Sequence, residues 1–196
     1  MLHLDKRIYK DYAGWKLENQ QILEQFQGNN NIIYERLEPV YTVLNHIYDM
    51  ICDGKEVDED FETIFEVGFS YLNSQFGVIK IYFETLFSSN CEDFIGYSQL
   101  LLYLIFIFDI KSDLENHGMS SDIESLNDLE TEIENSIMER RDDYLYLSNK
   151  MNETLAEVFK EAKYEYVSVI DIFVEIAENL GIFLYEEDEL VLGTDI

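Results

Sequence analysis

The sequence predicts a mainly α-helical fold, a multi-helix bundle of about six to eight helices, and three observations on its 196 residues carry that prediction. Apolar side chains recur at three- and four-residue spacing along most of the chain, the period of a helix that buries one face. One proline and nine glycines read as punctuation between those periodic stretches. From Met119 to Leu180 neither residue occurs at all, so helix is the default there. Apolar residues make up 47% and aromatics 14%, which is enough to build a core and too much for a disordered chain. The chain reads as a single acidic domain over 1–196, with 118–121 as the place where it would divide.

In order, the first helix is expected from about Leu4 to Gln27, with Ile8, Tyr12, Trp15, Ile22 and Phe26 inward and Gly28 ending it. "GNNN" is a turn. The second helix is expected to carry Pro39 at or near its first turn, where a missing N–H is harmless. Its inward set is Val40, Val43, Leu44, Ile47, Met50 and Ile51, and Gly54 caps it. A third starts at about Asp58 and buries Phe61, Ile64, Phe65, Gly68, Phe69 and Leu72. "GVIKIYFETLF" (77–87) has β-branched residues that would suit a strand, but its aromatic spacing favours helix. "NCED" then caps an apolar helix from about residue 91 to Asn116, closed by Gly118.

"SDIE" at 121–124 matches a capping box, Ser followed three residues later by Glu. Behind it Ile123, Leu126, Ile133, Ile137, Leu147, Met151, Leu155 and Val158 keep helical register, with a bend expected at "SNKMN" (148–152). A last helix around 164–180 turns Val167, Ile170, Phe173, Val174 and Ala177 inward. "IFLYEEDELVLG" (182–193) is the one β candidate, a short C-terminal hairpin around an acidic turn.

Charge is the anomaly. Against 13 bases stand 41 acids, a net charge of −28. Residues 1–50 hold seven acids and five bases, so nearly all the excess lies after residue 50. Such a chain does not bind nucleic acid directly, because phosphate neutralisation needs clustered Lys and Arg. An anionic membrane surface is disfavoured for the same reason. Salt adaptation alone would not call for 21 Ile and 27 Phe plus Tyr.

Cys52 and Cys91 suit a reducing compartment. Charges at residues 5–7 leave no room for an apolar leader, and the apolar run "LLLYLIFIFDI" (100–110) is interrupted by Asp109 before it reaches membrane-spanning length. A cytoplasmic protein is expected, with that run as a buried helix.

No catalytic motif emerges. His3, His46 and His117 stand far apart, without a second ligand at zinc spacing. A calcium loop starting at Asp49 would place Asp53 and Gly54 correctly, but it would put Ile51 at the third ligand position and Asp60 at the last. Neither a metal nor a cofactor is expected. The closest enzyme pattern is that of Mg²⁺-dependent all-α nucleotide pyrophosphohydrolases, which hold the ion through carboxylates on two adjacent helices. Here Glu161, Glu165, Asp171 and Glu175 have i,i+4 spacing instead of the Glu-x-x-Glu and Glu-x-x-Asp of those enzymes.

What remains is acidic patterning. "DGKEVDEDFETIFEVG" (53–68) sets seven acids against one lysine. Asp58, Glu59 and Asp60 suit a helix N-terminus, whereas Glu62 and Glu66 lie beyond it. Asp128, Glu130, Glu132 and Glu134 form a second group. Glu153, Glu157, Glu161 and Glu165 step along one helix face at about 6 Å intervals, and each like-charged pair costs roughly 0.2–0.5 kcal/mol. The expected partner-binding residues are therefore Glu56, Asp58, Glu59, Asp60, Glu62, Glu66, Asp128, Glu130, Glu134, Glu153, Glu157, Glu161 and Glu165. They point to a non-enzymatic interaction protein that binds and inhibits a basic protein: a nuclease, a toxin or a nucleic-acid-binding enzyme. Toxin immunity proteins and nucleic-acid mimics of the phage anti-defence kind work this way. The alternative is a helical adaptor or assembly subunit joined through its aromatic surfaces.

Overall fold

The computed structural model describes residues 6–28, 31–119, 123–162 and 168–182. Among them are seven helices and no strand: α1 (Arg7–Gly28), α2 (Ile32–Cys52), α3 (Glu59–Phe87), α4 (Cys91–Asn116), α5 (Ile123–Glu139), α6 (Tyr144–Ala162) and α7 (Val169–Asn179). The all-α bundle is as expected. The hairpin expected at 182–193 lies, Ile182 aside, outside the described residues, as does the Ser of the capping box at 121.

At the centre is α4, packed against α2, α3, α5 and α6. It is apolar nearly all round, and Tyr97, Leu100, Leu101, Leu104, Ile105, Ile107, Ile110 and Leu114 are all buried. A helix of that composition must be surrounded. By length and composition α4 would also pass for a membrane span, but half of the relevant window is buried inside the bundle. On one side of α4 lie α1, α2 and α3, and on the other α5 and α6, while α7 lies along α2.

Rings fill the first side. Tyr12 stacks on Trp15 at 5.8 Å and meets Phe65 edge-on at 5.1 Å, and Trp15 meets Phe76 at 4.9 Å. Offset and edge-on pairs of this kind add about 0.5–1.5 kcal/mol each beyond area burial. A second group, Phe26, Phe83, Phe87 and Phe94, closes the opposite end of α1 against α3 and α4.

Two sequence expectations are corrected. Pro39 is not in the first turn of its helix but inside α2, where it is buried. The helix starts earlier because the Asn31 side chain accepts from the Ile33 N–H at 2.9 Å while its own amide donates to Ser98 at 2.9 Å. The proline deprives only the Glu35 carbonyl of a helical partner, and Glu35 is on the exposed side.

The break in the Gly-free tract is at 140–143, not at 148–152, which lies inside α6. Arg140 adopts φ 54°, a left-handed conformation usually left to glycine. Its N–H donates to the Ile137 carbonyl at 3.2 Å, and the Arg141 N–H donates to Ser136 at 3.0 Å. Asp143 secures the turn, accepting from the Ser136 hydroxyl and standing 3.3 Å from the Arg141 guanidinium.

Candidate functional site

The opening acidic cluster divides by role. Asp58 is the N-cap of α3 and accepts from the Phe61 N–H at 3.0 Å. Glu59 and Asp60 are exposed in the first turn beside the helix's positive end. Buried Val57 anchors the approach to the helix, leaving Glu56 exposed. Glu62 forms an ion pair with Lys6, whereas Glu66, one turn further on, is exposed.

The second group largely serves the bundle itself. Glu130 pairs with Lys111 of α4, and Glu132 takes Lys150 of α6 at 2.6 Å. Glu134 accepts from the Tyr82 hydroxyl of α3; burial, then that carboxylate, pushes the phenol up to about 12. Asp128 alone of the four is fully on the surface. These acids hold α5 to three neighbours, a use that sequence reasoning missed because each partner lies on another helix.

On α6, Glu153 and Glu157 are exposed as expected. The Glu161 side chain and all of Glu165 fall outside the described residues, so the ladder is seen in its first two rungs. Tyr82, where α3 meets α5, lies about 33 Å along α3 from Asp60 at the helical rise per residue. The opening cluster and the acids around Tyr82 are therefore separate patches.

A feature absent from the sequence reading lies beside Glu66. Between α3 and α4, ending at Val169 of α7, is an open groove of about 590 Å³. Glu66, Ser70 and Ser74 descend one wall at i,i+4 spacing, and Asp109 and Asp113 face them from α4. Asp109 accepts from the Tyr71 hydroxyl at 2.7 Å and from the Gln75 amide at 2.6 Å. Burial holds its carboxyl above the usual carboxylate range, and those two hydrogen bonds and the Arg36 guanidinium only partly counter this.

Arg36 approaches from α2, its guanidinium 5.3 Å from the centre of the Phe106 ring. Gln75 is fully buried, and its Oε1 has no hydrogen-bond partner. The same holds for Oδ2 of Asp113, whose other carboxylate oxygen stands 3.7 Å from His117 Nδ1. Chemically the groove offers acceptors and negative charge.

Among the described residues no group of three or more His, Cys, Asp or Glu is arranged to hold a metal ion. Asp171 and Glu175 are exposed on α7, while the side chain of Glu161 and all of Glu165 fall outside the described residues. Cys52 is free and exposed, and His117 ends α4 with Nδ1 2.8 Å from the Asp113 carbonyl. The fold and this surface define an acidic all-α bundle. Compared with known protein families, with curated proteins and with solved structures, the chain matches none of them.

Proposed function

We propose that this bundle is a cytoplasmic, non-enzymatic interaction protein that binds and inhibits a basic protein through carboxylates held on rigid helices. The inhibited partner belongs to the nuclease, toxin or nucleic-acid-binding class, as for an immunity protein or a nucleic-acid mimic. One observation carries this reading. Glu59, Asp60, Glu66, Glu153 and Glu157 stay exposed on helices, while Lys6, Lys80, Lys111 and Lys150 are engaged in ion pairs that join one segment to another. Preorganised like charges of this kind raise encounter rates with a basic surface and cost little ordering on binding.

The test is capture of partners from an extract at low and at high salt, with wild type and two variants. One variant carries Glu59→Gln, Asp60→Asn and Glu66→Gln, leaving the Asp58 cap and the Glu62–Lys6 pair in place. The other carries Gln at 153, 157, 161 and 165. The expected result is a basic nucleic-acid enzyme retained at low salt, inhibited in activity, and bound more weakly by at least one variant that melts no lower than wild type. Unchanged affinity in both variants would refute the proposal.

The adaptor reading keeps one specific support. Ile95 is 67% exposed, Leu145 72% and Tyr146 60%, each next in sequence or nearly so to Gly96 of α4 or to Tyr144, whose ring lies against that glycine. A partner held there would be salt-insensitive.

A further inference from the structure

A cleft between the first two helices differs from the acidic surface in the sign of what it offers. Its volume is about 290 Å³, and Lys16, Leu17, Gln20 and Leu23 line it from α1, Tyr34 and Tyr41 from α2. Clefts that hold small ligands start at about 300 Å³, so a small molecule is the right scale.

Lys16 is the source of the difference. Lys6, Lys80, Lys111 and Lys150 each have a carboxylate partner. Among the described residues Lys16 has none. Its Nζ donates to Asn45 Oδ1 at 2.7 Å, which occupies one of the donors of an ammonium and leaves the others. The same nitrogen lies 5.7, 6.0 and 5.6 Å from the ring centres of Tyr12, Tyr41 and Tyr48. Ring faces and an amide oxygen stabilise a cation without cancelling its charge.

Tyr34 and Tyr41 are half-buried, and among the described residues neither hydroxyl has a hydrogen-bond partner. The one acid on the cleft wall, Glu24, is exposed and accepts from the Gln20 amide at 2.7 Å. A second cation would meet the ammonium already seated on the tyrosine faces. An anion would meet that ammonium and two spare hydroxyls. One unpaired ammonium matches one negative charge, which suits a carboxylate better than a dianionic phosphate.

The rest of the cleft is apolar. Leu17 is 75% exposed at its wall, and Leu23 is buried. Beneath, a void of about 10 Å³ shares Leu23, Tyr34 and Tyr41 with the cleft and is otherwise lined by core residues such as Phe26, Leu37 and Phe76, together with Glu38. Burial holds the Glu38 carboxyl above its ordinary value. Leucines and tyrosine rings around one cation call for a flat apolar body with a charged end.

We propose that the α1–α2 cleft binds a small aromatic carboxylate, with its charged end on Lys16 and the Tyr34 and Tyr41 hydroxyls and its ring against Leu17 and Leu23. None of the acids assigned to the basic partner lines this cleft, so the two proposals stand or fall separately.

The probes are 3-phenylpropionate, its neutral isostere 3-phenylpropanamide, the cation phenethylammonium, and N-acetyl-phenylalanine, which stands for the C-terminus of a protein chain. Each is titrated into the full chain and followed by calorimetry and by the side-chain amide resonances of Gln20 and Gln27. 3-Phenylpropionate is expected to saturate and to shift both amides, while the neutral and cationic probes bind at least about tenfold more weakly, the size of one lost charge-assisted hydrogen bond. Lys16→Met should weaken 3-phenylpropionate by about the same factor. Leu17→Gln, on an exposed side chain, should weaken it about threefold while melting as wild type does.

No saturation, an equal response to the amide, or tighter binding of phenethylammonium would overturn the site. So would wild-type affinity in Leu17→Gln together with wild-type affinity in Lys16→Met. Tighter binding of N-acetyl-phenylalanine than of 3-phenylpropionate would overturn the assignment to a free small molecule and point to a chain terminus.

Discussion

Gly68→Ala and Gly77→Ala make one chemical change twice on α3 and are expected to move stability in opposite directions. A Cβ at Gly77 meets nothing within 4 Å, so the variant gains only the better helix propensity of Ala, about 0.5–1 kcal/mol. At Gly68 the new carbon would stand 2.6 Å from Phe173 Cζ and 3.0 Å from Leu44 Cδ2. Phe173 is 1% exposed and Leu44 0%, so neither can swing aside into solvent.

Overpacking of this kind costs about 1–3 kcal/mol, and because propensity cancels between the variants, that is also their expected difference. Urea unfolding followed by far-UV circular dichroism measures it directly, provided the two m values agree. Combining Gly68→Ala with Phe173→Leu should recover part of the loss. Val169 lies one turn before Phe173 and closes the groove. If Gly68→Ala proves as stable as Gly77→Ala, α7 is not seated on α3 through Phe173 and the end of the groove is wrongly drawn.

Asn31→Ala removes both the α2 cap and the bond to buried Ser98, and thermal unfolding should show a loss of about 2 kcal/mol. Arg140→Gly relieves a left-handed residue but gives up a 2.6 Å bond to Ser88 at an exposed site. A net gain of about 0.5 kcal/mol in urea unfolding is expected, and a loss would mean that the turn does not depend on that backbone angle. The carboxyls of Glu38 and Asp109 titrate above their ordinary values, both chiefly through burial. Their stabilising contribution is therefore full below the unfolded-state value of about 4 and is lost as pH rises through the raised folded value. Stability should rise as pH falls toward that unfolded-state value, and moderate salt should raise it at pH 7 by screening the crowded acids; a flat response to both would show the charges to be well compensated.

Periodicity located the helices because burial on one face leaves a repeat in the chain itself. Val40, Val43, Leu44, Ile47 and Ile51 are all buried, as are Ile123, Leu126, Ile133 and Ile137. In α1 the buried face is centred on Tyr9, Asn19 and Leu23, leaving the expected Ile8 and Ile22 partly buried at its edge. Tyrosine and asparagine can sit inside when tertiary neighbours receive them, which apolar spacing does not register.

The breaks were harder to read. Pro39 suggested a start, but a cap with two bonds outweighs one lost helical bond. "RRDD" at 140–143 breaks the long tract without glycine because Ser136, Arg141 and Asp143 hold the turn from outside the backbone. The groove stayed hidden for a related reason. Ser70 and Ser74 look like ordinary surface residues on α3, and Asp109 looked like the end of an apolar run. Only the packing of α3 on α4 sets them face to face, although the i,i+4 series from Glu66 to Ser74 was there to be noticed.

The ion pairs between helices give the surface an unequal tolerance to genetic drift. A carboxylate such as Glu153 or Asp60 can be exchanged for another polar residue nearby with the total charge restored elsewhere, since no single neighbour depends on it. Lys111 and Lys150 have no such freedom, because each bridges α5 to a different helix. In descendants of this chain the few bases should stay in place while the many acids wander, the reverse of what their numbers suggest.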